Sequence, residues 1–301
     1  MLTDEIQHVR RFNRTVTQRI GALSDNYLSR QRPLGASRLL WEIEPDGSDA
    51  RSLRTRLDLD SGYLSRLLRM LENEGLVTVE PHADDQRVRL VRLTDAGRAE
   101  RAEIDRRSDE LAHSLLSPLD ARSQQRLVEA MATVERLLTA GLVDVRIVEP
   151  SSEDAEFCIR SYFAELDKRF DNGFDLEISK SADVTEFVEP TGLLLVAYLH
   201  DEPIGCGALR FYGAEGTDVK RMWVADSRRG LGVGRRILSE LERHARQRGI
   251  ALLRLETNHN LTEAISLYQS AGYVEVDAFN SEPYAHHWFA KDLTTFRLPV
   301  R

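Results

Sequence analysis

DVKRMWVADSRRGLGVGRRILSELERHARQRGIALLRLETNHNLTEAISLYQSAGY, residues 218–273, is the stretch that decides the fold of the second half of the chain. It reads as a strand over 219–224, a glycine-rich turn, an amphipathic helix over 233–248, a strand over 251–257 and a second helix over 262–271. In the turn, Arg229-Gly230-Leu231-Gly232-Val233-Gly234 lets the backbone come close to a ligand, with free N–H groups at the start of a helix. That is an anion site, suited to a pyrophosphate.

The spacing argues against two other phosphate-binding turns. Gly230, Gly232 and Gly234 do not fit the dinucleotide pattern G-x-G-x-x-G, and no Lys-Ser/Thr follows as a Walker turn requires. The turn does match R-x-x-G-x-G and is preceded by Lys-Arg-Met-Trp-Val. In this it resembles the GNAT acetyltransferases. Downstream, Ala264-Ile265-Ser266-Leu267-Tyr268 and Ala271-Gly272-Tyr273 resemble that family's A-x-x-x-Y-x-x-x-G-F/Y segment.

A chain of 301 residues suggests two domains, and 42% hydrophobic with 30% charged residues is a globular composition. No apolar run is long enough to span a membrane, and residues 1–11 lack the apolar core of a signal peptide, so a cytoplasmic protein is expected. Cys158 and Cys206 sit singly among apolar neighbours and read as buried thiols. No metal site is expected. Through Leu142 the chain has 22 arginines and no lysine against 23 acidic residues, a net of −1, while the remainder carries −7 of the total −8. Nucleic-acid binding must then come from local placement of arginines.

Residues 1–30 carry apolar positions Ile6, Val9, Val16, Ile20, Leu23 and Tyr27 at helical spacing, and Leu127, Met131, Val134 and Leu138 repeat the pattern in a second helical part that is interrupted near Ser117-Pro118. Long terminal helices of this kind either pack on their own core or pair with another chain. Between them, 50–57 and 61–74 read as two short helices around the turn Asp58-Leu59-Asp60, the second capped by Asp60 and stopped by Gly75. Leu64, Leu67, Leu68 and Leu71 form its buried stripe. Gly62, Arg66 and Arg69 then lie on the far side, flanked by Tyr63 and Ser65, which suits a helix-turn-helix in a major groove. Strands over 77–80 and 88–93 make a wing around 81–87. Leu71-x-x-x-Gly75-Leu76-Val77, Asp85-Gln86-Arg87 and Leu93-Thr94-x-x-Gly97 resemble the MarR-type winged-helix regulators. That resemblance implies a homodimer formed through the terminal helices on a double-stranded DNA operator. It also implies Arg87 in the minor groove, oriented by Asp85, with Arg89 at phosphate.

The two expected domains are therefore 1–142, a mainly α winged helix-turn-helix with long terminal helices, and 143–301, an α/β mixed sheet of GNAT type. In the latter a strand over 145–148, a helix over 152–169, a hairpin of 193–199 and 203–211 around His200-Asp201-Glu202, and a final strand over 286–292 complete the pattern.

The GNAT resemblance implies acetyl-CoA as cofactor and acetyl transfer to an amine. It implies pyrophosphate contacts from the backbone of Arg229, Gly230, Leu231, Gly232, Val233, Gly234 and Arg235, and contacts to the pantetheine arm from Met222, Trp223 and Val224. Tyr268 would face the leaving sulfur. For the base, Asp218 at the strand start and Glu256 on the adjacent strand are the candidates, with His286 or His287 acting through water. The asparagine usual before the motif alanine is replaced by Leu261, so Asn260 is a cofactor contact in doubt. The segment 162–175, with Arg169, Phe170 and Phe174, interleaves aromatics and carboxylates and suits a small-molecule amine. The alternative is a transcription factor whose second domain only senses acetyl-CoA or a metabolite, which would need the glycine turn but not Tyr268.

Overall fold

The computed structural model describes residues 2–24, 26–81, 88–179, 183–212 and 216–294. The chain divides into two compact units, Met1–Met131 and Ala132–Arg301. In the first unit, helices α1 (Leu2–Arg19), α2 (Leu34–Glu42), α3 (Ala50–Arg56), α4 (Ser61–Asn73) and α5 (Asp95–Leu116) accompany strands β1 (Ser48–Asp49), β2 (Val77–Pro81) and β3 (Arg89–Leu93). These strands form an antiparallel sheet in the order β1-β3-β2. Helix α6 (Ala121–Gly141) spans the division between the units.

Helix α4 forms as its sequence dictates. The Asp60 carboxylate accepts from the Tyr63 N–H at 2.8 Å, and Gly75 leaves the helix at φ +69°. Leu64, Leu67, Leu68 and Leu71 are buried against Leu39, Leu40 and Leu53. The L-T-x-x-G motif has a direct physical meaning. Thr94 caps α5 by accepting from Gly97 N and donates its hydroxyl proton to the Gly75 carbonyl at 2.7 Å. A Cβ at Gly97 would stand 1.9 Å from the Leu76 carbonyl oxygen, so only glycine lets α5 start against the end of α4.

Two expectations for this unit change. The single helix over 1–30 ends at Arg19, because Gly21 turns the chain at φ +71° and Tyr27–Ser29 form a separate 3-10 turn. Leu23 is consequently exposed rather than part of a stripe. Helix α2 is absent from the expectations, although Pro33 before Ala36, Leu39 and Leu40 is its signature. The break between α5 and α6 falls at Ser117-Pro118, as expected.

The second unit is a seven-stranded sheet made of β4 (Asp144–Val148), β5 (Gly192–Leu199), β6 (Glu202–Phe211), β7 (Thr217–Val224), β8 (Leu252–Thr257), β9 (Val274–Val276) and β10 (His287–Asp292), in the order β4-β5-β6-β7-β8-β10-β9. Helix α7 (Glu153–Arg169), capped by Ser152, packs on one face. Helix α8 (Val233–Gln247) packs on the other, and α9 (Thr262–Ser270) follows β8. Strand β5 shows how the layers sort. Leu193, Leu195, Ala197 and Leu199 enter the core with Ile237, Leu238 and Leu241 of α8, while Leu194, Val196 and Tyr198 enter that of Ala155, Cys158 and Ile159 of α7. A strand covered on both faces reads as one apolar run, as it does here. Cys158 and Cys206 are both buried and free. Among the described residues no helix is long and apolar enough to cross a membrane.

Every neighbouring pair in this sheet is antiparallel except β7 and β8, which pair in parallel at Thr217↔Leu253 and Asp218↔Arg254. Past Asp218 the two strands part, and this splay positions the site.

Candidate functional site

The splay begins at an ionic clamp. Arg254 donates to Asp218 at 3.1 Å, and Lys220 lies 3.6 Å from Asp218 while also pairing with Glu256. Asp218 is buried and borders neither cavity described below, so it fastens the last paired residues of β7 and β8 rather than facing a ligand. Glu256 does face a cavity, with its second oxygen accepting from Asn280 at 3.3 Å.

Two cavities open beyond the clamp. A crevice of about 410 Å³ runs between Met222, Trp223 and Val224 of β7, the turn before α8, and Ala264, Leu267 and Tyr268 of α9. A smaller cavity of about 80 Å³ is lined by Lys220, Arg221 and Met222, by Glu256, Thr257 and Asn258, and by side chains of α7 and its following segment. Tyr162, Leu166, Met222, Leu261, Ala264 and Tyr268 border both. The two spaces therefore adjoin along these six residues, Tyr268 among them.

The crevice suits an elongated anion. Gly230 and Gly232 lie at φ +81° and +77°, and a Cβ at either would meet nothing within 4 Å, so the conformation rather than crowding demands glycine. Gly232 caps α8 without any side-chain hydrogen bond, leaving first-turn N–H groups for a ligand. Arg228, Arg229 and Arg235 border the crevice. Arg229 is held by Asp226 at 2.7 Å and by Glu165, and Arg235 by the Ser270 hydroxyl. Donors, positive charge and room thus fit a pyrophosphate. Leu231 packs on the core instead of bordering the crevice.

Two expected contacts lie elsewhere. Arg169 faces the crevice, not the smaller cavity, and binds Glu165, Glu263 and the Asn260 carbonyl. Asn260 reciprocates by donating to the Arg169 carbonyl at 3.0 Å, so this pair ties the end of α7 to the loop before α9.

Phe170 and Phe174 do border the smaller cavity, with ring centroids 5.5 and 4.9 Å from Tyr284. The carboxylates of the same segment do not. Glu165 holds arginines, Asp167 accepts from the Phe174 N–H, and Asp175 from that of Glu177. The acids of the cavity are Glu256 and Glu282.

Burial, with smaller effects from Tyr162 and Glu256, pushes the Tyr268 hydroxyl well above the usual tyrosine range, and burial likewise pushes Tyr162 up to about 12. Both stay protonated at neutral pH. Burial and the neighbouring His259 and His287 hold His286 below its ordinary value, so its ring is neutral there. Neither His286 nor His287 borders either of these two cavities, and His287 binds Glu275 at 2.7 Å.

Several lining residues carry no sequence-based expectation: Arg221, Arg228, Glu282 and Tyr284. Tyr162, the first residue of the expected acceptor segment, recurs with Cys158 and Leu166 every four residues on α7, and Phe170 follows at the same spacing just past the helix end. An arginine at the centre of a buried strand is the corresponding signal for Arg221.

In the first unit, Gly62, Arg66 and Arg69 are exposed on α4 and Tyr63 and Ser65 are half-buried beside them. The Arg66 guanidinium lies 5.5 Å from the Tyr63 ring centre, and Arg89 is exposed on β3. Asp85 and Arg87 lie outside the described residues.

Residues 190–275 match the acetyltransferase (GNAT) domain and residues 39–97 the winged helix DNA-binding domain. An IAA acetyltransferase of Azospirillum brasilense is 33% identical over 121 residues, which are 40% of this chain and 78% of that protein. The uncharacterized HTH-type transcriptional regulator YdgJ of Bacillus subtilis is 33% identical over 81 residues, 27% of this chain and 49% of the regulator. A crystal structure of a GNAT-family acetyltransferase from Staphylococcus aureus superposes on 50% of this chain and 99% of its own with a TM-score of 0.43 and 17% identity. Through its second half the chain belongs to the GNAT acetyltransferases, and its first half is a winged-helix domain with MarR-type relatives.

Proposed function

We propose that the protein is a bifunctional, cytoplasmic, homodimeric transcription regulator that also transfers acetyl from acetyl-CoA to the nitrogen of a small amine. The observation that carries the enzymatic half is the adjoining of two cavities along residues that include Tyr268, one suited to a long anion and one to a small aromatic-walled guest. In this reading the first turn of α8 holds the pyrophosphate of the donor, and the free edge of β7 through Met222 and Val224 aligns its arm. Glu256 receives the proton released by the nitrogen as the carbon–nitrogen bond forms. The Tyr268 hydroxyl meets the charge on the sulfur as the carbon–sulfur bond breaks. Because burial raises its proton affinity, Tyr268 acts by donating a hydrogen bond rather than by giving up its proton outright. A purely sensing domain has no need of such a hydroxyl at the junction.

For the regulatory half, the outward Arg66 and Arg69 support insertion of α4 into a major groove, with Arg87 in the minor groove and Arg89 at phosphate. The terminal helices support pairing of two copies: Ile6, Val9 and Phe12 on α1 and Val128, Met131, Leu137 and Leu138 on α6 are exposed, and α6 buries none of its residues.

The test is to incubate the full chain with acetyl-CoA and a panel of small amines and to follow free thiol. Thiol release that depends on the amine supports transfer. Tight acetyl-CoA binding with no release for any amine supports the sensor instead.

A further inference from the structure

Glu256, the proposed proton acceptor, owes its place in the wall of the smaller cavity to groups behind it. It stands on β8 directly opposite Trp288 of β10, so the two side chains lie on the same face of the sheet. Asn280, in the loop that joins β9 to β10, bridges them. Its amide donates to Glu256 Oε2 at 3.3 Å, and its carbonyl oxygen accepts from the Trp288 indole at 2.9 Å and from the Glu282 backbone N–H at 3.4 Å. Asn280 itself borders neither cavity.

The direction of this chain of bonds follows from its ends. An indole N–H and a backbone N–H are donors only, so they hold the carbonyl end of Asn280 and leave its NH2 end for Glu256. An ionised carboxylate accepts only, and its other oxygen pairs with Lys220. Each oxygen has two lone pairs, so one partner apiece leaves capacity for a proton from a guest. The loop is pinned on either side of Asn280 as well. The Arg254 guanidinium of the clamp lies 4.5 Å from the Phe279 ring centre, and Asn258 donates to the Tyr284 carbonyl at 2.8 Å.

A general base works only within hydrogen-bond reach of the proton it takes, and a carboxylate free to swing spends much of its time elsewhere. Resting on the proposed acetyl transfer with Glu256 as its base, we propose that Asn280 is a positioning residue: its amide, oriented by the Trp288 indole, holds the Glu256 carboxylate at the cavity wall with lone pairs left for the acceptor's proton.

The test compares the wild-type full chain with Asn280→Asp, using acetyl-CoA and the most active amine of a panel of small alkyl and arylalkyl amines. Aspartate keeps the shape and the acceptor for Trp288 and Glu282, but sets a second carboxylate against Glu256 Oε2. At neutral pH kcat should fall by about tenfold to a hundredfold, with little change in KM for acetyl-CoA. The acid limb of kcat/KM should move up by about one pH unit, because neighbouring carboxylates resist a second charge. The amine's own ionisation is common to both proteins and cancels. Lys220 and Arg221 on β7, Tyr162 on α7, Tyr268 on α9, Tyr212 after β6 and Glu282 in the loop are ionisable groups around Glu256, and the substitution leaves all of them in place. Should Asn280→Asp not fold, Trp288→Phe takes its place, with kcat lower by about threefold to tenfold, the range of one hydrogen bond. A readout free of turnover is the indole N–H resonance of Trp288, one of three tryptophans. It should shift with pH in step with the acid limb of the wild type and stay flat in Glu256→Gln. A wild-type pH profile retained in Asn280→Asp overturns the positioning role and leaves acetyl transfer standing. An indole signal that shifts alike in wild type and Glu256→Gln has the same meaning. Thiol release with no amine overturns acetyl transfer and the role of Asn280 with it.

Discussion

The outer face of α4 holds Arg66 and Arg69 in water, whereas the cavity beside β7 holds Arg221 almost fully buried over three aromatic rings. The first arrangement asks little of the fold. An exposed arginine keeps its hydration, is screened by salt, and needs only a helix whose opposite face is apolar. The second asks a great deal. Burying a guanidinium requires aromatic faces from α7 and from the segment before β5, and a register shift between β6 and β7. Surface recognition can therefore change residue by residue, while the interior site is tied to the packing of the whole sheet.

The largest effect should come from Gly232→Glu, which forces a side chain into φ +77° and aims a negative charge along the crevice. Acetyl-CoA affinity should fall by more than about a hundredfold, read by calorimetry, with operator binding unchanged. Retained affinity would mean that the turn is not the anion site. Tyr268→Phe should lower turnover by about tenfold to a thousandfold with little change in acetyl-CoA affinity. Unaltered turnover would remove this hydroxyl from the chemistry.

The first unit has its own interior charges, and they sharpen the contrast. Glu100 takes both Arg30 and Arg32, and Arg32 also takes Glu74. Burial opposes charge on Glu100, yet the hydrogen bonds and charges of the two arginines more than offset it and hold the carboxyl below its ordinary range. Since the folded value is depressed, this stabilisation is fully present above about pH 4.3, the ordinary glutamate value, and is lost as pH falls through the folded one. Glu100→Gln should cost about 3 kcal/mol at neutral pH, read from amide exchange in α2 and α5. The difference from wild type should shrink at about pH 3. A cost independent of pH would assign Glu100 to packing alone.

Arg66→Ala and Arg87→Ala should each weaken operator binding by about 1–3 kcal/mol, measured by gel shift at two salt concentrations. A flatter salt dependence is expected for Arg87→Ala, and unchanged affinity for either would return that arginine to a solvated surface. Smallest should be Phe170→Ala and Phe174→Ala, which raise KM for the amine by about tenfold each and leave that for acetyl-CoA alone. Equal effects on both substrates would make these rings scaffolding.

The chain order of elements from β4 to α9, the glycine turn before α8, the cap of α4 by Asp60 and the place of Tyr268 on α9 were all legible in the sequence. Each depends on local rules: a period of hydrophobicity, a capping carboxylate, a residue free to take positive φ. The early end of α1 was legible too, in Gly21, but a continuing apolar spacing obscured it. What the sequence could not rank were groups of like chemistry. Asp218 and Glu256 are both carboxylates on neighbouring strands, and only the register that sets Asp218 against Arg254 sends one to a structural clamp and the other to the cavity. Arg169 and Arg221 are both arginines near aromatics, and the splay of β7 from β8 leaves the first on the crevice and the second in the smaller cavity. Glu282 and Tyr284 reach that cavity from more than a hundred residues beyond Tyr162. Local sequence fixes backbone conformation through short-range sterics and hydrogen bonds. Which distant side chains converge is decided only when strands pair, part and pack, and that convergence makes the site.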